Sequence, residues 1–165
     1  MTAVTVRHEL RPGDLGRVIS LHAEVYAAEY GFDGRFEAYV AETAAEFGKL
    51  ARPGLDRLWV AECDGRQVGS IAILGREDGV AQLRWFLVHP EARGTGLGRL
   101  LIDEALAFCQ TAGYRSVYLW TVSILPAAAH LYVAAGFQKT EIREPATLWG
   151  VVLTEERYDR DVESR

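Results

Sequence analysis

The spacing of hydrophobic positions predicts a strand and two helices in the first third of the chain. Residues 4–7 alternate in polarity as a short strand does. Asp14 is a suitable N-cap, and the apolar side chains that follow at helical spacing are Leu15, Val18, Ile19, His22 and Tyr26. Gly31 ends this helix, and Asp33 is a suitable cap for a second one. The inner face of the second helix, before Pro53 and Gly54, is predicted to hold Phe36, Tyr39, Val40, Thr43 and Phe47.

The next part of the pattern is typical of strands. Residues 58–63, 67–74 and 80–88 are rich in apolar and aromatic side chains. The connections between them are short and carry turn residues, Asp-Gly at 64–65 and Glu-Asp-Gly at 77–79. Strands joined by such tight turns run in opposite directions. The sequence therefore predicts an antiparallel meander.

A crossover follows the meander. Residues 96–112 have the apolar spacing of a helix, and residues 116–121 are again strand-like. A helix between the strands at 80–88 and 116–121 requires those strands to pair in parallel.

The last part of the chain is predicted to contain one more helix and two more strands. Pro126 fits the first turn of the helix and Gly136 its C-terminal end. Strands are predicted at 137–144 and 147–153, whereas the charged segment 155–165 is predicted to be a short strand end and a tail. The whole order is β-α-α-β-β-β-α-β-α-β-β, a mixed α/β (α+β) arrangement.

Composition narrows the class of protein. The chain has 165 residues, 49% of them hydrophobic and 25% charged, which is typical of one globular domain spanning residues 1–165. We expect a cytoplasmic protein, because no apolar run is long enough to span a membrane and the N-terminus lacks the features of a signal peptide. The net charge of −5 argues against nucleic acid as a partner. No Cys or His pair has the spacing of metal ligands, so no metal is expected.

The segment 88–99 carries the most specific chemistry. Three alternating glycines, Gly94, Gly96 and Gly98, lie between the end of a predicted strand and the start of a predicted helix. Glycine lets a ligand approach the backbone closely, and a helix N-terminus presents unpaired N–H groups to anions. Arg93 and Arg99 add positive charge. The segment therefore suits a pyrophosphate, although a plain strand-to-helix turn is the alternative on glycine spacing alone.

Other phosphate-binding motifs fit less well. The dinucleotide fingerprint needs glycines spaced G-x-G-x-x-G, and the nucleoside triphosphate loop needs Gly-Lys-Ser/Thr; the segment has neither. A nucleotide-binding regulatory domain is disfavoured for this reason.

The segment resembles the acyl-CoA-binding motif of the GNAT (Gcn5-related N-acetyltransferase) superfamily, R/Q-x-x-G-x-G/A. Arg93, Gly96 and Gly98 match it in place, and the Leu-Tyr-Val-Ala-Ala-Gly-Phe stretch at 131–137 is similar to the family signature L-Y-x-x-x-G-F. The resemblance covers nearly the whole chain. It is closest to the GNAT domains of bacterial proteins that fuse this domain to a MarR-like DNA-binding region, a region we do not expect within this chain because its first predicted strand starts at Val4.

The resemblance implies a GNAT fold: a mixed central sheet of about seven strands, with an antiparallel N-terminal meander and a parallel, splayed strand pair, flanked by about four helices. It implies acetyl-CoA as co-substrate, no metal, and direct transfer of the acetyl group to a primary amine of a small molecule or peptide in a ternary complex. It is compatible with a homodimer and implies no membrane partner. The residues implied to bind the cofactor are Leu87, Val88, Arg93, Gly94, Thr95, Gly96, Leu97, Gly98 and Arg99.

The resemblance also implies that Tyr132 is catalytic, as the group that hydrogen-bonds or protonates the departing thiolate. An ordinary tyrosine pKa near 10 matches a thiol leaving group. The alternative is a core role, because Tyr132 shares an apolar helix face with Leu131 and Ala135. The family often has an asparagine seven residues before this tyrosine, where this chain has Leu125; Thr121 and Ser123 could supply polar groups instead.

The general base and the acceptor stay open. An attacking amine must lose a proton, and the candidate bases from sequence are Glu24, Glu29, Glu77, Asp78 and His89, whereas His22 is interpreted as a core residue. Side chains that could line the acceptor pocket are Trp85, Trp120, Trp149 and residues 29–32. A non-catalytic acyl-CoA sensor or interaction module is the alternative function, and the presence of Tyr132 favours the enzyme.

Overall fold

The computed structural model describes residues 3–163, and this part of the chain forms four α-helices and nine strands. The helices are α1 (Asp14–Tyr30), α2 (Gly34–Leu50), α3 (Leu97–Ala112) and α4 (Pro126–Ala134). The strands are β1 (Thr5–Arg7), β2 (Arg57–Cys63), β3 (Arg66–Gly75), β4 (Val80–Val88), β5 (Ser116–Val122), β6 (Gln138–Ile142), β7 (Ala146–Leu148), β8 (Val151–Leu153) and β9 (Glu155–Asp161).

Seven of these strands form one mixed sheet in the order β1-β2-β3-β4-β5-β9-β6. Strands β1 to β4 pair antiparallel, and β4 and β5 pair in parallel across the α3 crossover. The predicted meander, the parallel pair and the four helices are confirmed.

The C-terminal prediction was wrong in one respect. The segment 147–153 is not a sheet strand but most of a separate hairpin of β7 and β8, and the charged segment beyond it supplies the seventh sheet strand, β9, between β5 and β6. Its inward side chains are Glu156 and Tyr158. β9 lacks the apolar alternation that marks a strand in sequence. It forms a strand all the same, because backbone hydrogen bonds to β5 and β6 hold it on both sides.

The first helix also begins differently from the prediction. Asp14 is the first residue of α1 rather than its cap, and Gly13 holds the cap position. The Asp14 carboxylate is buried and accepts hydrogen bonds from the Arg7 guanidinium at 2.7 and 2.9 Å. Asp33, by contrast, caps α2 as predicted, because its side chain accepts from the backbone N–H of Arg35.

The two faces of the sheet bury two hydrophobic clusters. Alternate residues of β2 point to opposite faces, Trp59 toward α3 and Leu58 toward α1 and α2. At about 25 cal/mol per Å² of apolar surface buried, both faces contribute to stability. Members of both clusters also line the cavity described below, for example Leu83 and Tyr132 of the first and Phe36 of the second.

A β-bulge interrupts β4 at Trp85. Ser70 of β3 pairs with Leu87 and Ala72 pairs with Arg84, so β4 contains one extra residue at this point. Trp85 adopts a left-handed backbone, with a φ of 50°, and its carbonyl accepts a hydrogen bond from the Ser70 hydroxyl at 2.6 Å. Because a bulge breaks the alternation of side chains, Leu83 packs on the α3 face whereas Trp85 packs on the α1–α2 face.

No helix in residues 3–163 is long and apolar enough to cross a membrane. In the same part of the chain, no three His, Cys, Asp or Glu side chains come together as metal ligands would.

Candidate functional site

The parallel strands β4 and β5 separate after a short paired segment. They pair only from Val80 to Gln82 on β4 and from Ser116 to Tyr118 on β5, although β4 continues to Val88 and β5 to Val122. The sheet is therefore open between the C-terminal halves of these strands, and their facing backbone groups are available to a ligand. This is the splayed pair predicted from the sequence.

A cavity of about 150 Å³ lies at this opening. Its walls come from β4, β5, α1, α2, α4 and the β7–β8 hairpin. The predicted pocket residues Trp85, Trp120, Trp149 and Phe32 all line it, and so does Tyr132. Most of the side chains that the sequence predicted to line the acceptor pocket therefore lie around this one cavity.

Aromatic rings form the outer part of the cavity. Tyr26 of α1 and Phe36 of α2 stack with their ring centroids 4.9 Å apart. Trp149 packs edge-on against Phe36, also at 4.9 Å, and its backbone carbonyl accepts from the N–H of Asp33 at 3.0 Å. The same contact that anchors the β7–β8 hairpin to the start of α2 thus places Trp149 over the cavity.

The side chain of Tyr132 is enclosed by three other rings. Its ring centroid lies 5.8 Å from that of Phe86 and 5.9 Å from those of Phe137 and Tyr158. Burial raises the pKa of its hydroxyl, so the group is a neutral phenol at physiological pH. Tyr132 lines the cavity, and within residues 3–163 its hydroxyl has no hydrogen-bond partner. The residue is both a core side chain and a cavity side chain.

The glycine turn lies at the end of β4. Gly94 and Gly96 have φ values of 75° and 86°, and a Cβ on either would meet no atom within 4 Å. Gly96 is the N-cap of α3, and no side chain caps the helix. The first N–H groups of α3 have no partner within the helix. An anion fits here, because no side chain in residues 3–163 caps these donors.

Two other residues of the turn hold its shape. The Thr95 hydroxyl donates to the carbonyl of Ala92 at 2.6 Å. A Cβ on Gly98 would come within 3.0 Å of Leu131 and 3.5 Å of Phe86. Gly98 therefore has a packing role between α3, α4 and β4 in addition to its place in the first turn of the helix.

Both arginines of the motif already have carboxylate partners. Arg93 makes two hydrogen bonds to Glu29 of α1, at 2.9 and 2.6 Å, and these bonds hold the pKa of Glu29 below its usual value. Arg99 pairs with Asp103 on the exposed side of α3 at 3.2 Å. A phosphate would compete with these partners, and the exchange costs little because both pairs are solvent-accessible.

The backbone carbonyls of Leu87 and Val88, the two strand residues predicted to bind the cofactor, point in opposite directions. The carbonyl of Leu87 lies on the β3 side, where a Cβ on Gly69 would meet it at 3.0 Å. The carbonyl of Val88 points away from β3 and accepts from Nε of Arg93 at 3.2 Å. Of the pair, Val88 is the one whose backbone borders the open side of β4.

The position of the usual asparagine is filled by an apolar residue. Leu125 precedes α4 and lines the cavity, as does Thr121 of β5. Ser123 is exposed and does not belong to the cavity lining. Of the two polar substitutes considered from sequence, Thr121 is the one that the fold brings to the cavity.

None of the five candidate bases lines the cavity. Glu29 pairs with Arg93, and Nδ1 of His89 accepts from the N–H of Glu91. The titratable groups that do line it, tyrosines and Arg84 aside, are His22 and Glu155. Glu155 was missed because it lies in the charged segment predicted to be a short strand end and a tail.

His22 was interpreted as a core residue, and it is 4% exposed. Its Nδ1 lies 2.8 Å from the carbonyl of Val18, which can only accept, so Nδ1 carries the proton and Nε2 is left with a lone pair. Burial lowers the pKa of the imidazole to about 4. His22 is therefore neutral and has a buried, unpaired Nε2.

Comparison with known proteins identifies a family. Residues 54–139 match the sequence profile of the Acetyltransferase (GNAT) domain. A segment of 118 residues is 32% identical to an uncharacterized N-acetyltransferase of Schizosaccharomyces pombe, covering 70% of this chain and 72% of that one. A segment of 87 residues is 41% identical to N-acetyltransferase family 8 member 3 of Rattus norvegicus, covering 50% of this chain but 38% of the rat protein.

Solved structures share the fold at low sequence identity. An acetyltransferase of the GNAT family from Staphylococcus aureus superposes with a TM-score of 0.78 at 18% identity, covering 98% of this chain and 100% of that one. A GNAT superfamily phosphinothricin acetyltransferase from Sinorhizobium meliloti, solved in complex with AcCoA, superposes with a TM-score of 0.77 at 22% identity, covering 98% and 89%.

Proposed function

The chain belongs to the GNAT family of acetyltransferases and is an acyltransferase, and from this premise we propose that it transfers the acetyl group of acetyl-CoA to a primary amine of a small molecule or peptide. The amine attacks the thioester directly in a ternary complex, so that no acyl-enzyme forms. The whole chemistry then takes place in the cleft between β4 and β5.

One observation carries this proposal. The open glycine turn and the aromatic cavity lie along the same strand, β4, where it separates from β5. The turn suits the pyrophosphate of a CoA ester, and the splayed strands leave room for its extended arm between the turn and the cavity. The Tyr132 hydroxyl, without a partner in the described chain, lines the cavity end of this path.

The residues proposed to hold acetyl-CoA follow from these positions. The N–H groups at Gly96, Leu97, Gly98 and Arg99 bind the pyrophosphate together with Gly94, Thr95 and Arg93, and Val88, with its neighbour Leu87, borders the pantetheine arm. The co-substrate supplies an activated acyl group on sulfur. The chain's own residues bind it, exclude water and move protons.

Proton transfer is assigned to two side chains. The amine must lose a proton as its nitrogen bonds to the acyl carbon, and Glu155 is the carboxylate that lines the cavity. Glu155 lies 3.4 Å from Arg143, a long and exposed contact that leaves a carboxylate oxygen available. When the carbon–sulfur bond breaks, the Tyr132 hydroxyl donates its proton or a hydrogen bond to the departing thiolate.

A binding measurement and an activity measurement test the proposal together. Acetyl-CoA should raise the melting temperature, whereas NAD and ATP should raise it much less, because only the CoA ester uses both turn and cleft. A panel of amines with acetyl-CoA should then release free thiol with at least one acceptor. Stabilisation by acetyl-CoA without thiol release from any amine would favour a non-catalytic acyl-CoA sensor, and equal stabilisation by all three ligands would indicate a generic phosphate site.

Several sequence predictions stay predictions. These are a single domain over residues 1–165, a cytoplasmic location, a homodimer, and a particular closeness to MarR-fused GNAT domains. The chain covers about two fifths of the rat relative's length, so the substrates of that relative carry no information about this chain.

A further inference from the structure

The bulge in β4 places two hydrogen-bond donors side by side at the cavity. Arg84 reaches Tyr39 of α2, and Trp85 packs with Phe47 of α2, so these consecutive residues share the α1–α2 face. In a regular strand they would point to opposite faces. The Arg84 guanidinium lies 5.7 Å from the Trp85 ring, and both residues line the cavity.

Arg84 has no carboxylate partner in the part of the chain that the structure describes. Its one hydrogen bond is donated to the Tyr39 hydroxyl at 2.8 Å, and within residues 3–163 no carboxylate oxygen lies within 4.0 Å of it. The two arginines of the glycine turn, by contrast, both have such partners. Arg84 is partly buried among aromatic rings. A guanidinium has five N–H donors, so most of the donors of Arg84 have no protein partner in the described part of the chain.

Trp85 provides a second donor without an acceptor. Its side chain is 7% exposed, and the indole Nε1 is buried with no partner in the described part of the chain. Leaving a buried N–H unpaired is costly, and such groups commonly mark the place of a ligand or water. An anionic ligand at the cavity would accept hydrogen bonds from the Arg84 guanidinium, which lies beside the Trp85 ring.

We propose that the acceptor is an amino acid, whose carboxylate is held by Arg84 beside the Trp85 ring while its apolar or aromatic side chain packs among the cavity rings. This inference rests on the proposed function, because it names the acceptor class of that reaction. A planar guanidinium matches a carboxylate with two parallel hydrogen bonds, which fixes the orientation of the neighbouring amine.

The charges of the cavity agree with this class. Glu155 lines it together with Arg84, so one negative and one positive group face the space, as the ammonium and carboxylate of an amino acid require. Aromatic rings alone would also suit a polyamine through cation–π contacts. The Arg84 charge, which has no carboxylate partner in residues 3–163, disfavours a polycation, because like charges repel.

The test compares acceptors that differ only in the carboxylate. L-Phenylalanine is paired with 2-phenylethylamine and L-methionine with 3-(methylthio)propylamine, and spermidine represents the polyamines. Thiol release gives kcat and KM, and calorimetric titration of each acceptor in the presence of CoA gives binding without chemistry. We expect the amino acid of a pair to be preferred at least tenfold in kcat/KM.

Variants of Arg84 then identify the group responsible. Arg84→Gln should lower kcat/KM for the amino acid about ten- to a hundredfold, mainly through KM, and change that for the matched amine less than threefold. Arg84→Lys should recover part of the loss, because it keeps the charge but not the paired donors. Arg66→Gln is the control, since Arg66 pairs with Glu91 at an exposed site away from the cavity.

Each outcome supports or overturns the inference. Equal use of both members of a pair, equal losses for both in Arg84→Gln, or a preference for spermidine overturns it while the acetyltransferase proposal stands. If no amine releases thiol, the acetyltransferase proposal fails and calorimetry decides separately: amino acid binding that Arg84→Gln abolishes supports the carboxylate site, and no binding of either amino acid to the wild-type chain overturns it.

Discussion

At the level of single side chains, burial sets the protonation of the groups that line the cavity. It raises the pKa of Tyr132 and lowers that of His22 to about 4, so at pH 7 the phenol keeps its proton and the imidazole is neutral. Tyr132 is thus a potential proton donor, and His22 adds no positive charge beside an incoming ammonium.

Tyr132→Phe should reduce turnover about a hundredfold and leave cofactor affinity nearly unchanged. The hydroxyl interacts most strongly as charge develops on sulfur, so its loss affects kcat more than binding. Steady-state kinetics and a CoA titration make the comparison. The matched control is Tyr158→Phe: that ring packs 5.9 Å from Tyr132, but its hydroxyl donates to Glu156. Wild-type turnover in folded Tyr132→Phe would leave Tyr132 with a packing role alone.

The protonation of His22 should make the fold acid-sensitive. The folded-state pKa of about 4 is below the ordinary value of 6.5, so the unfolded chain takes up the proton first as pH falls. The contribution of His22 to stability is fully present above pH 6.5 and is lost as pH falls toward 4. Between pH 7.5 and 5.0 this loss amounts to about 2 kcal/mol.

Urea unfolding at those two pH values measures the effect. His22→Gln removes the buried imidazole, so the variant should lose clearly less stability than the wild-type chain on going from pH 7.5 to 5.0. The buried Asp14 carboxyl titrates below this window, because its hydrogen bonds from Arg7 lower its pKa to about 2. An equal loss in both proteins would show that the buried imidazole is not the acid-sensitive group.

At the level of secondary-structure elements, the two ends of α3 offer an internal comparison. Gly96 precedes the helix and Gly113 follows it, with φ values of 86° and 83°, and a Cβ on either would meet no atom within 4 Å. The two glycines are equivalent in conformation and in free space. They differ in that Gly96 lies at the helix end whose N–H groups are proposed to bind phosphate.

Gly96→Ala and Gly113→Ala should destabilise the fold equally and affect CoA binding differently. Alanine in the left-handed region costs about 1 kcal/mol at either position. The added methyl at position 96 enters the space proposed for the pyrophosphate, so CoA affinity should fall at least tenfold, whereas Gly113→Ala should leave it unchanged. Thermal unfolding and CoA titration provide the two readouts. Equal CoA affinity of the two folded variants would exclude the turn as the phosphate site.

The elements that could be predicted from sequence are those in which local chemistry and tertiary structure agree. The meander strands are apolar and joined by Gly-containing turns, and the glycine turn is followed by an amphipathic helix, so both are visible in the pattern. Strand β9 is held mainly by its neighbours on both sides, and its polar side chains conceal it. The bulge at Trp85 has no local signal, because tryptophan does not favour a positive φ. Glu155 and the role of Arg84 depend on these two features and were missed for that reason.

At the level of the whole molecule, the Glu29–Arg93 ion pair connects the glycine turn to helix α1. The same helix supplies His22 and Tyr26 to the cavity. A phosphate that recruits Arg93 must share it with Glu29 or displace Glu29 from it.

Glu29→Gln should strengthen CoA binding about two- to tenfold. The substitution removes a competing carboxylate and a negative charge beside the proposed phosphate site, effects typical of a partly exposed pair. Glu24→Gln removes the same charge from an exposed position of α1 and should have little effect. CoA titrations at low and high salt provide the measurement. Weaker CoA binding in Glu29→Gln would mean that Glu29 holds Arg93 in its binding position rather than competing for it.

The distribution of the four tryptophans gives the molecule a built-in optical signal. Trp85, Trp120 and Trp149 line the cavity, whereas Trp59 is buried on the opposite face of the sheet against Phe108, with ring centroids 5.4 Å apart. Three of the four fluorophores therefore experience the polarity and quenching of whatever fills the cavity, and the fourth provides a constant background. Acceptor binding should therefore change the intrinsic tryptophan emission even when no acetyl transfer takes place. Binding to the cavity can be followed in this way without a label or a coupled assay.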